Sequence, residues 1–234
     1  MSELVVHHLP GAWGLPSVSP FCLKLDTYLR MVGIHFEVVI DATPFGAPKK
    51  KLPAIEHKGR YLGDSSFIIE YLEDEFGCDP GRDLSAGERA VAHAFKRLIE
   101  ENLYWTMVYD RWLVDSNWDS FRDVVLGGMP LPARRIIGPI ARRGVRRSLR
   151  GQGIGVHSRE EIHAIGIRDL DAIADFLGDK LFLMGDTITE IDAAAYGLLA
   201  NILLAPIVTP IRDRGLERGN LVDYVHRIQD LYYS

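Results

Sequence analysis

Three short stretches in the first third of the chain carry residue types suited to holding an anion and a peptide-like ligand. The sharpest is Ser19-Pro20-Phe21-Cys22, between a strand and a helix. Pro20 fits the first helical position, where its missing N–H is not needed, and Ser19 is a favoured cap. A helix start offers unpaired N–H groups and a partial positive charge. A thiolate would be stabilised there, and the Ser19 hydroxyl could donate a hydrogen bond to it; alternatively, Ser19 only caps the helix. The second stretch is Lys51-Leu52-Pro53-Ala54, just before a strand. A proline at such a place can follow a cis peptide bond, which would present the Leu52 N–H and C=O to a peptide-like ligand. A trans proline opening a strand is the ordinary alternative. The third is Gly63-Asp64-Ser65-Ser66 at the start of another helix. Its N–H groups and the Ser65 hydroxyl would hold a carboxylate and Asp64 an ammonium group, together the head group of an α-amino acid. The alternative is again a plain cap.

Alternating strands and helices must position these stretches. Residues 4–7 form a short strand candidate, followed by a loop rich in Gly, Pro and Ser that runs to Ser19. Leu25, Tyr28, Leu29 and Val32 recur at helical spacing, and Gly33 suits the helix stop. Residues 36–40 read as a second strand, and residues 54–57 and 60–62 as a hairpin across Lys58-Gly59. Asp64-Ser65-Ser66 then opens a helix with Ile68, Leu72 and Phe76 on one face, ended by Gly77. The order is β-α-β, an irregular connection, then β-β-α. After Gly77 the pattern is helical only. The turn-rich run from Cys78 to Asp83 marks a linker, giving domains of residues 1–80 and 85–234. Ser85-x-x-Glu88, Ser158-x-x-Glu161 and Thr189-x-x-Asp192 are capping boxes that satisfy otherwise orphaned N–H groups. The first opens one long apolar-periodic stretch through Phe95, Trp105 and Trp112.

The 234 residues are 47% hydrophobic and 25% charged, which fits a soluble globular chain and excludes a disordered or collagen-like one. A net charge of -5 gives no reason to expect nucleic acid as a partner. Two cysteines make neither a disulfide framework nor a cysteine-rich zinc site, and point to a reducing compartment. The N-terminus lacks the features of an export signal. Residues 193–211 carry no charge, close to the ~20 residues that span a bilayer, but Pro206, Pro210, Asn201 and the cap at Thr189 favour a buried central helix. His7 and His8, adjacent on a strand, point to opposite faces, so no metal is expected. Residues 132–150 hold Arg134, Arg135, Arg142, Arg143, Arg146, Arg147 and Arg150 with no acid. They read as an anionic-membrane or acidic-partner surface, as a rim attracting anionic substrates, or as a solvated face. Gly138 and Pro139 are expected to break that amphipathic helix.

Taken together, the three stretches are recognisable. The chain resembles the glutathione transferase superfamily, with an α/β thioredoxin-like N-terminal domain and an all-α C-terminal domain. Ser19-Pro20-Phe21-Cys22 looks like the Cys-Pro-Tyr-Cys site of glutaredoxins with serine in place of the first cysteine. Leu52-Pro53 matches the family's cis-proline step, Asp64-Ser65 its acid-Ser pair, and residues 182–192 its C-terminal helix-capping motif. The run from Ser19 to Leu29, and Gly151-Gln152-Gly153-Ile154-Gly155-Val156-His157-Ser158 leading into Glu160-Glu161, resemble the failed-axon-connections and metaxin branch. The insertion at residues 130–150 also fits that branch.

The resemblance implies that Ser19 hydrogen-bonds the glutathione sulfur and favours its thiolate. It implies that Leu52 and Pro53 meet the glutathione main chain, and that Asp64 and Ser65 hold the γ-glutamyl end. Lys51 or Lys49 would meet the glycine carboxylate, and Trp13 would wall the site. Where many transferases place a tyrosine in the first loop, this chain offers Ser17 and Ser19, which makes Ser17 a rival for the sulfur. An exposed Cys22 would form a mixed disulfide with glutathione; a buried one would be a small apolar filler. The acceptor pocket is expected around Tyr104, Trp105, Val108 and Trp112. The implied protein is a cytoplasmic, homodimeric transferase that uses glutathione as substrate against a small apolar electrophile, with no metal. A non-catalytic, metaxin-like interaction module and a glutathione-linked redox protein using Cys22 are the alternatives.

Overall fold

The computed structural model describes residues 4–41 and 43–234. Four strands come first: β1 (Val5–His8), β2 (Glu37–Ile40), β3 (Ala54–His57) and β4 (Arg60–Gly63). They form one sheet in the order β2-β1-β3-β4. β1 and β2 run parallel, as a crossover through α1 (Pro20–Met31) requires. The other pairs are antiparallel, with Ala54 facing both His7 and Gly63. That register puts the end of β1, the start of β3 and the end of β4 at one end of the sheet. α1 also begins at that end, as does α2 (Ser65–Phe76). Val6 and Ile55 are fully buried against Leu25 and Leu29 of α1 and Ile68 and Leu72 of α2. Phe76, expected on that inner face, is instead exposed at the last turn of α2.

Alternation along β1 turns His7 outward, between Asp41 (2.9 Å) and Glu56 (3.2 Å), and His8 inward. His8 is 1% exposed and neither ring nitrogen has a hydrogen-bond partner. Burial pushes its pKa below the ordinary 6.5, against the attraction of Asp26. The unfolded chain therefore takes up this proton at higher pH than the folded one. Stability should fall as pH drops through and below 6.5 and be insensitive to this group above it. His8→Phe is expected to shrink the loss of stability between about pH 7 and about pH 5, read from urea unfolding at both pH values. An equal loss in both proteins would exclude His8 as the cause.

Everything from Ala86 onward is helical or loop: α3 (Ala86–Arg97), α4 (Tyr104–Leu113), α5 (Asp115–Val125), α6 (Leu131–Gln152), α7 (Arg159–Leu177), α8 (Glu190–Leu203), α9 (Pro210–Glu217) and α10 (Gly219–Tyr232). All three capping boxes form. The third does more than cap: Asp192 also accepts the Leu183 N–H (2.8 Å) and the Tyr224 hydroxyl (2.9 Å). The single long helix expected from Ser85 to Trp112 is interrupted, because residues Leu98–Leu103 form a π-helical turn between α3 and α4. The uncharged stretch is, as expected, a buried central helix: residues 191–203 of α8 are all buried. No helix among the described residues is long and apolar enough to cross a membrane. Gly197 lets α8 and α1 touch; a Cβ there would lie 2.5 Å from the Pro20 carbonyl oxygen and 3.0 Å from Lys24 N.

The expected break at Gly138-Pro139 does not occur, and α6 runs through both residues. Gly138 is buried with its α-carbon side turned to Trp118 and Leu126. Packing over this point, with whole turns on either side, outweighs the single backbone hydrogen bond that Pro139 removes.

Candidate active site

Ser19 caps α1 as expected: its extended backbone (φ -92°, ψ 120°) sets the hydroxyl oxygen to accept the Cys22 N–H at 3.4 Å. With that bond made through the oxygen, the hydroxyl proton can be given to an anion seated over the helix mouth. The two rivals for the sulfur are both enclosed. Ser17 is 0% exposed, donates to the Leu9 carbonyl (2.9 Å) and accepts the Ser19 N–H (3.3 Å); its role is to shape the loop that presents Ser19. Cys22 is also 0% exposed, and burial pushes its thiol up despite the nearby Ser19 and Ser17 hydroxyls. That is the opposite of what a reactive cysteine needs.

The Leu52–Pro53 peptide is cis. Leu52, Ala54, Ala47 and Cys22 pack together as one small apolar cluster, which ties the proline step to the first turn of α1. No hydrogen bond among the described residues takes up the Leu52 N–H or C=O, so this peptide group is free for an extended ligand strand. Asp64 caps α2 from φ 85°, ψ 117°, a conformation an L-residue rarely adopts. Strain of this kind persists where the surroundings hold it, commonly at binding sites. Its carboxylate accepts the Ser66 N–H (3.1 Å) and lies 3.6 Å from Lys49 Nζ. The Lys49 ammonium also sits 4.1 Å from the centre of the Phe67 ring. Of the two lysines considered for a ligand carboxylate, Lys49 is thus set against Asp64. Lys51 is exposed with no contact tying it to the other site residues. Ser65 is buried directly under this helix mouth.

On the helical side, the Tyr104 ring meets Phe21 of α1 edge-on at 4.9 Å. Its hydroxyl takes part in no hydrogen bond among the described residues. Burial, with smaller pushes from Cys22 and Glu101 and an opposing pull from Arg111, raises its pKa to about 12. The other expected pocket residues are divided. Val108 is buried in the main helical core, and Trp105 packs on that core with its Nε1 unpartnered. Trp112 stacks on Trp118 at 5.0 Å, in an aromatic group that also holds Phe121 and Trp13. Trp13, expected to wall the site, lies in this packed cluster, which also holds Val18. Sequence periodicity also missed Lys24 and Arg111, both buried cations on otherwise apolar helix faces. Lys24 Nζ reaches Ser66 Oγ (3.2 Å), Glu100 (2.7 Å) and Glu190 (3.4 Å), and Glu190 in turn holds Lys96 at 2.6 Å. Burial pushes Glu190 up, but the two ammonium groups outweigh it and hold it below the usual carboxylate range.

A cis-proline step, a serine at the mouth of α1 and an acid-Ser pair at the mouth of α2 thus meet at one end of a small mixed sheet, roofed by a helical domain. Residues 20–118 match the glutathione S-transferase N-terminal domain and residues 166–228 the glutathione S-transferase C-terminal domain. The chain is 36% identical to the isoprene-epoxide–glutathione S-transferase of Rhodococcus sp. (strain AD45), over 98% of this chain and 99% of that protein. It is 32% identical to Failed axon connections of Drosophila melanogaster, over 92% of this chain but 54% of that protein. With Metaxin-1 of Macaca fascicularis it shares 30% over 95% of this chain and 73% of that protein. The crystal structure of the glutathione transferase GSTFuA3 from Phanerochaete chrysosporium superposes with a TM-score of 0.69 at 18% identity, covering 99% and 98% of the two chains. The protein belongs to the glutathione S-transferase family, and its relatives include the failed-axon-connections and metaxin branch.

Proposed function

We propose that the protein is a glutathione transferase in which a thiolate held at Ser19 attacks a small epoxide or similar electrophile. The observation that carries this reading is the free Leu52 peptide group lying between two helix mouths, at Ser19 and at Asp64–Ser65. A tripeptide thiol laid across that end of the sheet would pair with Leu52, place its amino-acid head on Asp64 and Ser65, and bring its sulfur to Ser19. Lys49 would meet a carboxylate at this edge. Titration calorimetry with glutathione is the direct test, with binding expected at or below millimolar ligand. No heat at that concentration would overturn the reading.

The named activity of the Rhodococcus relative supports an epoxide as electrophile. When thiolate sulfur bonds to one epoxide carbon, that carbon's C–O bond breaks and the oxygen, still held by the other carbon, becomes an alkoxide that must be protonated. The Tyr104 hydroxyl, neutral at physiological pH and without an internal partner, is suited to donate to it. Tyr104→Phe is expected to lower kcat for an epoxide by about 10²-fold while leaving conjugation of an aryl halide, which releases halide rather than alkoxide, nearly unchanged. Equal losses on both substrates would remove Tyr104 from the proton transfer.

The protein is further proposed to be a cytoplasmic homodimer. Two unpaired cysteines, Cys22 and Cys78, support the reducing compartment. Complementary surfaces support the dimer. α6 presents Ile136, Ile140, Arg143, Arg146, Arg147 and Arg150 outward, and these four arginines form no ion pair among the described residues, whereas Arg134 and Arg142 are tied to Asp123 and Asp115. α2 presents Phe67, Glu70 and Asp74. An aromatic and acidic helix on one copy fits an aliphatic and basic helix on the other. Arg143→Glu with Arg147→Glu should yield monomers by light scattering, and mixing these with Glu70→Lys/Asp74→Lys chains should restore a dimer. Dimers unaffected by either reversal would place the interface elsewhere.

A non-catalytic interaction module is the second reading, supported by the relatives named Failed axon connections and Metaxin-1. The same calorimetry separates the two, since such a module has no need of the Leu52 and Asp64 contacts. The burial of Cys22 argues against the redox alternative.

A further inference from the structure

Arg111 is 2% exposed and faces no carboxylate. Nη1 donates to the Val18 carbonyl at 2.8 Å, and Nη2 donates to Asn201 Oδ1 at 3.0 Å and to the Asn201 carbonyl. The guanidinium carbon lies 5.4 Å from the centre of the Trp13 ring and 5.3 Å from that of Phe121. Asn201 completes the clamp through Nδ2, which donates to the Gly197 carbonyl (3.0 Å) and the Ser17 carbonyl (3.4 Å). The cation and its amide partner thus hold the two peptide groups immediately before Ser19. The adjacent Asp110 is committed elsewhere, to His163 at 2.8 Å. Tyr104 is the ionisable group that acts on Arg111, and Tyr104 in turn feels Cys22. Burial pushes the guanidinium down to about 9, so it remains charged at neutral pH.

A buried cation without a counter-anion is a costly feature, and a neutral side chain would serve packing better. The missing anion is one that a ligand brings. We propose that Arg111 is a positioning residue that fixes the Ser17–Ser19 loop and supplies the standing positive charge favouring ionisation of a thiol bound at Ser19. The inference rests on the transferase reading above. On binding, the S–H bond breaks, the proton passes to solvent, and the electron pair stays on sulfur beside the Ser19 hydroxyl. The groups bearing on this end of α1 are the Cys22 thiol and, opposing ionisation, the Asp26 carboxylate from α1, Tyr104 and Arg111 from α4, and the Ser17 and Ser19 hydroxyls from the loop.

Wild-type protein is first shown by calorimetry to bind glutathione; no binding there sinks the transferase reading and this inference with it, whereas binding with an unchanged thiol pKa in the variants sinks this inference alone. The thiolate ultraviolet band of bound glutathione is then titrated with pH. Arg111→Met is expected to raise the thiol pKa by about one unit or more, a roughly tenfold smaller thiolate fraction below the midpoint, and Arg111→Lys, which keeps the charge, to restore most of it. Asn201→Asp sets a carboxylate against an intact Arg111 and neutralises the charge in place, at the loss of the Nδ2 bonds to Gly197 and Ser17. It too should raise the thiol pKa. A thiol pKa unchanged in Arg111→Met or in Asn201→Asp, with glutathione still bound, would reduce Arg111 to a structural clamp.

Discussion

Ser19→Ala is expected to cut turnover of glutathione with an epoxide by about 10²–10³-fold, the usual cost of removing one hydrogen bond aimed at a reacting anion. Three features of the site make the loss specific. The hydroxyl stands at the start of α1, where helix N–H groups and Ser19 act on the same point. Ser17, the nearest hydroxyl, is fully buried and already bonded to Leu9 and Ser19, so it cannot substitute. Cys22, the nearest thiol, is closed to solvent. The variant also loses a helix cap, worth about 1 kcal/mol, which is too little to unfold an ordinary domain. Glutathione affinity should change little, because Leu52, Asp64 and Ser65 are untouched. The pKa of the bound thiol should climb toward the ~8.5 of a free one, and Ser19→Thr should keep most of the activity. A bound-thiol pKa that is the same in wild type and Ser19→Ala would assign the sulfur contact to backbone N–H groups alone.

The largest stability effect is expected at Lys24. Its ammonium is 1% exposed and joins four elements: α1 by its own stem, α2 through Ser66, the π turn through Glu100 and α8 through Glu190. Burial lowers its pKa against the attraction of the two carboxylates. Lys24→Met keeps the stem's packing but takes from Glu100, 7% exposed, its nearest cation, leaving it Arg97 at 3.3 Å, and leaves Glu190 to Lys96 alone. Breaking a buried ion pair from one side typically costs about 3–5 kcal/mol, much of the stability of an ordinary domain. Urea unfolding should show it as a lower midpoint. Because Lys24 also bears on Ser66, beside Ser65 of the candidate ligand edge, weaker glutathione binding should accompany it. Lys24→Met/Glu100→Met, which removes both charges, should recover part of the loss. A single variant as stable as the wild type would show that the cluster contributes nothing net.

Local chemistry explains which features were legible in the sequence. A cap is decided by residues three apart, so Ser19, Ser85, Ser158 and Thr189 could be read directly. The bulk of the fold follows from strand and helix periods punctuated by glycines, and the β-α-β, Pro, β-β-α order carried the site. What escaped depends on partners far along the chain. The π turn is held where Glu100 meets Lys24 across 76 positions. Arg111 looks like a solvent residue in isolation, because its acceptors, Val18 and Asn201, come from two other elements. Lys49 and Lys51 cannot be told apart from spacing, since what distinguishes Lys49 is its 3.6 Å approach to Asp64. Pro139 signals a break, and only the contact of Gly138 with Trp118 shows why the helix continues. Tyr104, Trp105 and Val108 share one helix in the sequence, and only their partners separate them: Tyr104 meets Phe21 of α1, whereas Trp105 and Val108 pack with the helical core.

The π turn also has an evolutionary corollary. A turn of this kind accommodates one more residue than ordinary helical pitch would. Deleting a single position from Leu98–Leu103 would let the segment rewind to ordinary pitch with α3 and α4 keeping their places, because the turn holds the extra residue within itself. What would change is the turn: Glu100, which reaches Lys24 from it, would be carried round the axis. A one-codon deletion at this point is therefore a compact route to unfastening the Lys24 cluster while the helices on either side stay where they are.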